Sequence, residues 1–335
     1  MDALSEFDLI RRYFTHPVRD PDVLLGIGDD AALLRPPPGE LLAVTTDTLI
    51  AGRHFPHDTP ADAVGHKTLA VNLSDLAAMG ATPRWILLAL SLPAVDETWL
   101  AGLSQGLRAL ADAHGVTLIG GDTTRGELSL TITAIGTVPA GQALMRSGAR
   151  PGDRIYVSGT PGDAGLGLRA TLTPAGVQLS AGHRVYVKDR LDRPTPRIAL
   201  GLALRGRATA CLDVSDGLAQ DLGHILKASG VGAELWLEKL PLSPALQSLP
   251  VEDAWSLALS SGDDYELCFT LPPELDPIQL NLPEPVTCIG VITAEPGLRV
   301  FSGNIPVSVK SDGYQHFQSA AGHALYGEAP PVVSS

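Results

Sequence analysis

Residues 69–81 read Leu-Ala-Val-Asn-Leu-Ser-Asp-Leu-Ala-Ala-Met-Gly-Ala, and this run constrains the fold more than any other. Its side chains are apolar around nearly the whole helical circumference, so the segment belongs inside a protein, with other elements on every side. Yet Asn72 and Asp75 stand three apart on one face, with Thr68 one turn earlier. A buried carboxylate without a partner is costly, so Asp75 calls for a cation, an arginine or a metal. The plainer alternative is a polar stripe at a domain surface.

The rest of the chain supplies elements to surround that helix. With 335 residues, and roughly 100–200 per domain, two domains or one large one are expected. A hydrophobic share of 44% suffices for a proper core and excludes disorder. Thr59-Pro60 opens the apolar helix, and Gly80 with Pro83 closes it. Residues 41–50 read as a strand with Asp47 near its end, and 98–113 as a helix stopping at Gly115. A short strand at 116–119 is expected to break at Gly120-Gly121-Asp122, with another strand at 128–138. The stretch 139–150 is irregular and marks a domain boundary. Beyond it, strands are expected at 154–158, 208–214, 233–237, 265–271 and 286–292. One helix follows the glycine-rich turn 159–167, and another covers 218–229, capped by Gly230. Strand–helix alternation in both halves gives an α/β or α+β fold class. The expected domains are 1–138 and 139–326, with a loose tail at 327–335.

Against 24 Lys and Arg stand 37 Asp and Glu, a formal charge of −13. That balance excludes a nucleic-acid binder, whose partner demands a basic face. It admits a phosphorylated small molecule only if something else supplies positive charge. Cys211, Cys268 and Cys288 form no CxxC spacing and no pairing framework, as expected in a reducing cytosol. The N-terminus lacks a signal-peptide pattern. The apolar run 85–95, interrupted by Ser91 and Pro93, is too short for a membrane span. A cytoplasmic protein is expected.

The acidic residues gather in turns at strand ends: Gly28-Asp29-Asp30, Thr45-Thr46-Asp47, Gly121-Asp122, Asp213-Val214-Ser215-Asp216-Gly217 and Gly262-Asp263-Asp264. Nearly all are Asp. Any one could be an ordinary turn or helix cap. Five in one chain, with two acidic pairs, point to hard-cation coordination by short, rigidly held carboxylates.

Gly26-Ile27-Gly28-Asp29-Asp30-Ala31 mimics a dinucleotide fingerprint, but two carboxylates would face the pyrophosphate, and Pro36-Pro37-Pro38 leaves no room for a helix. An acidic phosphate loop makes sense only with Mg²⁺ between carboxylate and phosphate. Neither a P-loop nor a protein-kinase signature set is present. Backbone amides of the turn 159–167 could hold an anion, or be a common strand–helix turn. Arg146 lies in a polar loop at the domain junction, facing an anion or simply solvent. His54, in Gly52-Arg53-His54-Phe55, has no paired histidine that would make a zinc site. No nucleophile elbow stands out, so covalent catalysis is not indicated.

Together these segments resemble the thiamine-monophosphate kinase family, within the superfamily of aminoimidazole ribonucleotide synthetase and selenophosphate synthetase. The matching segments are GIGDDAALL (26–34), TTDTLIAGRHF (45–55), GHKTLAVNLSDLAAMGATP (65–83), LIGGDTTRG (118–126), RSGARPGD (146–153), LDVSDGLAQDL (212–222) and GYQHF (313–317). The resemblance implies that Asp30, Thr45, Thr46, Asp47, Asp75, Asp122, Asp213 and Asp216 hold several Mg²⁺ ions. It implies that Gly121, Asp122, Arg146 and Ser215 contact ATP, and that His54, Asp264 and Tyr314 meet the thiamine phosphate. It further implies a homodimer, built on the sheet of an N-terminal α+β domain, with a C-terminal α/β domain covering the nucleotide. The implied reaction is direct in-line transfer from ATP to thiamine monophosphate, with no phosphoenzyme.

The chain departs from the family where Ser-Gly-Gly-Glu-Asp-Tyr-Glu-Leu is usual. It has Ser260-Ser261-Gly262-Asp263-Asp264-Tyr265-Glu266-Leu267, which leaves open whether Asp263 or Asp264 makes the substrate contact. Two alternatives stand beside this reading. Another ATP-dependent enzyme of the superfamily would share the Asp motifs, though a selenophosphate synthetase wants a reactive Cys near the N-terminus and the first here is Cys211. A non-enzymatic divalent-metal scaffold would not require an arginine matched to an anion.

Overall fold

The computed structural model describes residues 6–307, so Tyr314, the GYQHF segment and the tail expected at 327–335 lie outside the described residues. Contacts divide the described chain into two units, 6–72 with 83–137, and 73–82 with 138–307. No helix among the described residues is long and apolar enough to cross a membrane.

The first unit contains α1 (Glu6–Leu9), β1 (Val23–Leu25), β2 (Leu33–Leu34), β3 (Glu40–Ile50), α2 (Ala61–Ala78), β4 (Thr82–Leu92), α3 (Glu97–His114), β5 (Thr117–Arg125) and β6 (Ser129–Pro139). The last turns of α2 group with the second unit. β1 and β2 pair antiparallel, and the other four strands form a sheet in the order β3-β6-β4-β5. As its composition demands, α2 is buried: Leu69, Ala70, Leu73 and Ala77 have no exposed surface. It ends where expected, on Gly80 in the left-handed region, with Ala81 N donating to Leu76 O at 2.8 Å. α2 and α3 approach backbone to backbone. A Cβ at Gly106 would lie 1.8 Å from Asp62 O, so only glycine fits this crossing.

The helix expected at 98–113 is α3. Asp96 caps it, accepting from Thr98 N at 2.9 Å and Trp99 N at 3.0 Å, and Gly115 closes it. Leu100, Leu103, Leu107 and Leu110 form its buried stripe. The apolar run after Thr82 is β4, an element that periodicity alone cannot tell from a buried helix. The strand expected to break at Gly120 continues instead to Arg125 as β5, pairing parallel to β4. A bulge absorbs the glycines, because Ile86 pairs with Leu118 while Leu87 pairs with Gly120.

The second unit contains β7 (Arg154–Ser158), α4 (Asp163–Leu172), α5 (Ala181–Asp192), α6 (Ile198–Leu204), β8 (Ala210–Val214), α7 (Leu218–Ser229), β9 (Gly232–Trp236), α8 (Val251–Ser260), β10 (Glu266–Leu271), β11 (Val286–Thr293), β12 (Gly297–Ser302) and β13 (Ile305–Val307). Its seven-stranded sheet runs β13-β12-β9-β11-β7-β10-β8. Only β12–β9 is parallel; the other five pairings are antiparallel. The architecture is the expected mixed α/β one. Leu218, Leu222, Ile225 and Leu226 of α7 pack into a core with Ile155, Val157, Leu212, Val214 and Leu235 from the sheet. A smaller cluster joins Leu166 and Ala170 of α4 to Val187 of α5 and Leu246. β8 and β10 are buried at every residue, so the acids Asp213 and Glu266 within them need internal partners.

Candidate active site

In the first unit, Asp30 is exposed in the loop between β1 and β2, its N–H donating to Asp29 Oδ1 at 2.8 Å. The base of that loop is anchored. Arg84 Nη2 donates to Asp22 Oδ2 at 2.6 Å and Asp20 Oδ1 at 3.1 Å, while Trp85 Nε1 donates to Asp20 Oδ2 at 3.0 Å. The fingerprint-like turn leads into β2 and not into a helix, so the dinucleotide reading fails as expected.

Thr45, Thr46 and Asp47 lie within β3 rather than beyond its end. Strand alternation therefore sends the Thr46 side chain to the face opposite Thr45 and Asp47. Thr46 Oγ1 donates to Ile132 O at 3.1 Å and lies 3.1 Å from Thr133 Oγ1. The three expected ligands do not share a face. Asp122 is exposed on β5, beside Gly121, whose φ of 153° and close approach exclude any side chain: a Cβ would lie 1.9 Å from Leu88 O.

His54 sits in a tight turn after β3. Its Nδ1 accepts from Ile50 N at 2.9 Å, so Nε2 carries the proton of the neutral ring. Lys67 is buried, and its Nζ donates to His54 O at 3.4 Å, which holds the turn to α2. Further along α2, Asn72 is fully buried. Its Nδ2 donates to Thr68 O at 3.1 Å, while its Oδ1 has no hydrogen-bond partner.

The second unit brings together Asp75, Asp213, Ser215, Asp216 and Asp263. Asp213, buried at the end of β8, accepts from Ser74 Oγ at 2.7 Å. Burial, and next the charge of Asp75, push its pKa up to about 8. After it, Asp221 Oδ2 accepts the N–H groups of Ser215, Asp216 and Gly217 at 2.9, 3.0 and 3.1 Å. Burial still raises the Asp221 pKa to about 6. The loop 261–265 lies against this turn, with Asp263 N donating to Ser215 O at 2.9 Å and Tyr265 N to Val214 O at 2.8 Å. Asp263 and Tyr265 both hold positive φ, 67° and 53°. For a bulky residue such as Tyr265 that is a strained backbone, of the kind that clusters at functional loops.

Asp264 departs from its expected place. Its carboxylate is fully buried, accepting from Gly162 N at 2.7 Å and Ala164 N at 3.3 Å. The amides of the glycine-rich turn thus hold a carboxyl group, but one belonging to the chain itself. Burial raises the Asp264 pKa despite these amides. Asp263, by contrast, is half-buried, and its Oδ1 accepts from Tyr265 OH at 3.0 Å. Arg146 is exposed in a loop tied to the end of α7, where Ser229 Oγ accepts from Gly148 N at 3.1 Å and Ala149 N at 3.2 Å.

Sequence reasoning missed Asp221, Ser229 and Ser74. Only Asp221 carried a signal, an acid in the first turn of a helix just after a Ser-Asp-Gly turn. It also missed Glu266, a buried acid that accepts from Ser158 Oγ, Arg190 and Arg197. A lone Glu in an otherwise apolar strand was the available clue.

Among the described residues, no three His, Cys, Asp or Glu side chains form a ready-made metal cage. The donors nevertheless fit a hard divalent cation. They are oxygens, and the repulsion between Asp75 and Asp213 that raises one pKa is what such a cation relieves.

The AIR synthase related protein family matches this chain in two parts, its N-terminal domain over residues 28–138 and its C-terminal domain over 150–303. The thiamine-monophosphate kinase of Escherichia coli K12 is 52% identical over 324 residues, covering 94% of this chain and 99% of that protein. The crystal structure of thiamine-monophosphate kinase from Stenotrophomonas maltophilia K279a is 51% identical, with a TM-score of 0.79 over 84% of this chain and 92% of that one. A structure described as AaThiL complexed with AMPPCP and TMP is 31% identical, with a TM-score of 0.73 over 84% of this chain and 89% of that one.

Proposed function

Because this chain belongs to the thiamine-monophosphate kinase family, we propose that it transfers the terminal phosphoryl group of ATP to thiamine monophosphate, forming thiamine diphosphate. The observation that carries the reading is 52% identity to a relative of that name across 94% of the chain, joined to the carboxylate-rich turns described above. The acceptor is already an oxyanion, so little general-base help is needed, and direct in-line transfer suffices. Positioning and charge neutralisation are the main tasks.

Asp30, Asp47, Asp75, Asp122, Asp213 and Asp216 are the side chains proposed to hold Mg²⁺. Thr45 would join them, and Thr46 would do so only through its backbone carbonyl. When bound, Mg²⁺ supplies the positive charge that lets two polyanions approach. Gly121, Asp122, Arg146 and Ser215 are proposed to contact ATP. His54 and Tyr314 are proposed at the acceptor. In the acidic pair, the half-buried Asp263 suits the cationic thiazolium better than Asp264, whose two oxygens serve α4.

A homodimer is proposed through β3. It is an edge strand, and Leu42, Val44 and Ile50 on one face are 47%, 61% and 37% exposed. Long apolar edges of this kind are normally covered. The two family matches, one ending at 138 and the other resuming at 150, support a domain junction at 138/139. Free cysteines, two of them buried, suit a cytoplasmic setting.

The test is ATP consumption with thiamine monophosphate, with and without Mg²⁺. Thiamine diphosphate should appear only with the metal, and Asp47→Ala should abolish turnover while leaving the fold intact. Absence of the diphosphate product with metal present would overturn the reading.

A further inference from the structure

Helix α7 is bonded at both ends to loops that carry proposed ATP contacts. At its start, one oxygen of Asp221 collects the consecutive N–H groups of Ser215, Asp216 and Gly217. At its end, Ser229 Oγ accepts from Gly148 N and Ala149 N and donates to Arg146 O at 3.3 Å, using its full hydrogen-bonding capacity. The helix rises about 12 Å between these two residues. Its apolar face is locked into the sheet core through Leu218, Leu222, Ile225 and Leu226.

We propose that α7 is a positioning helix, with Asp221 and Ser229 as positioning residues that fix the Ser215–Asp216 turn and the Arg146 loop in the geometry that binds the metal–nucleotide. The proposal rests on the reading that these two segments hold Mg²⁺ and ATP. Three successive amides aimed at one anionic acceptor fix the backbone of the turn. A turn ordered in advance presents Asp216 and Ser215 without an ordering cost at the moment of binding. A mere helix cap would change stability and leave ligand dependence untouched.

The experiment compares Asp221→Ala, Asp221→Asn and Ser229→Ala with the wild-type protein. Amide hydrogen exchange on the ligand-free proteins should show faster exchange at 215–217 in Asp221→Ala and at 148–149 in Ser229→Ala. In Asp221→Ala, the half-saturating Mg²⁺ concentration and the KM for ATP should rise by about 10- to 100-fold, as for other residues that orient ligands. Asp221→Asn keeps one acceptor oxygen and should recover part of the loss. Ser229→Ala should raise the KM for ATP while leaving the Mg²⁺ dependence near wild type. Faster exchange with unchanged Mg²⁺ and ATP dependence overturns the proposal, as does unchanged exchange. Should Asp221→Ala fail to fold, the other two variants decide, and a normal KM for ATP in both is equally fatal. A wild-type enzyme indifferent to Mg²⁺ would instead overturn the metal reading, and the exchange data distinguish the two failures.

Discussion

Asp264 accepts the backbone N–H of Gly162 at 2.7 Å, so the N-terminus of α4 is occupied by a carboxylate from elsewhere in the same chain. A feature that reads as an anion site is a device holding the 261–265 loop to the start of α4. Replacing Asp264 by Ala leaves the buried Gly162 and Ala164 amides unpaired, at a cost of about 1–3 kcal/mol for each orphaned group. Urea unfolding should show a lower midpoint with an unchanged slope. Wild-type stability in Asp264→Ala would show that the bond contributes nothing.

Glu266 should matter more. Its carboxylate is fully buried, with Arg197 Nε at 2.7 Å, Arg190 Nη2 at 2.8 Å and Ser158 Oγ at 2.5 Å, while Arg197 also reaches Glu284 at 2.9 Å. Glu266→Ala removes the carboxylate shared by two largely buried guanidinium groups, leaving Arg197 with Glu284 and Arg190 with the Asp264 carbonyl, and should destabilise by about 3 kcal/mol. Thermal melts at fixed pH check this, and a loss below that of an ordinary surface substitution would contradict it.

The Asp75–Asp213 pair predicts a metal effect on stability. Mg²⁺ at about 100 times its dissociation constant should stabilise the wild-type protein by about 2.7 kcal/mol. Asp213→Asn should lose most of that increment, and chelation should abolish it in the wild type. A melting shift of equal size in Asp213→Asn and wild type would remove Asp213 from the ligand set.

Asp163 gives a pH dependence. Burial raises its pKa above 3.8, opposed by the hydroxyls of Ser243, Thr160 and Tyr186 and the charge of Arg190; its own charge in turn raises the pKa of Asp264. The folded state therefore binds the proton more tightly than the unfolded state. Stability from this group falls as pH rises from 3.8 to the raised value, then stays level. The stability difference between wild type and Asp163→Asn should decline across that window. Unfolding free energies measured from pH 4 to 7 that give a flat or rising difference would count against it.

Much of the scaffold was legible because its causes are local. The all-round apolar α2, its stop at Gly80, α3 with its stop at Gly115 and the buried β7 follow from side-chain periodicity and capping chemistry within a few residues. β5 was not legible through Gly120-Gly121-Asp122. Glycines normally end a strand, and here they continue one because Leu88 of the neighbouring strand leaves no space for a Cβ.

The site divides in the same way. The sequence by itself determined which residue types are available: short carboxylates in turns, one arginine near a boundary, and a buried helix that carries Asn72 and Asp75. Only the tertiary structure decided their employment. It turned the Thr46 side chain away from Thr45 and Asp47, enclosed Asp264 against α4, and set Asp221 beneath the Ser215 turn. The physical reason is that a carboxylate's role depends on which donors surround it. Asp264 and the Gly162 amide that it accepts lie 102 residues apart in the chain, beyond the reach of any local pattern.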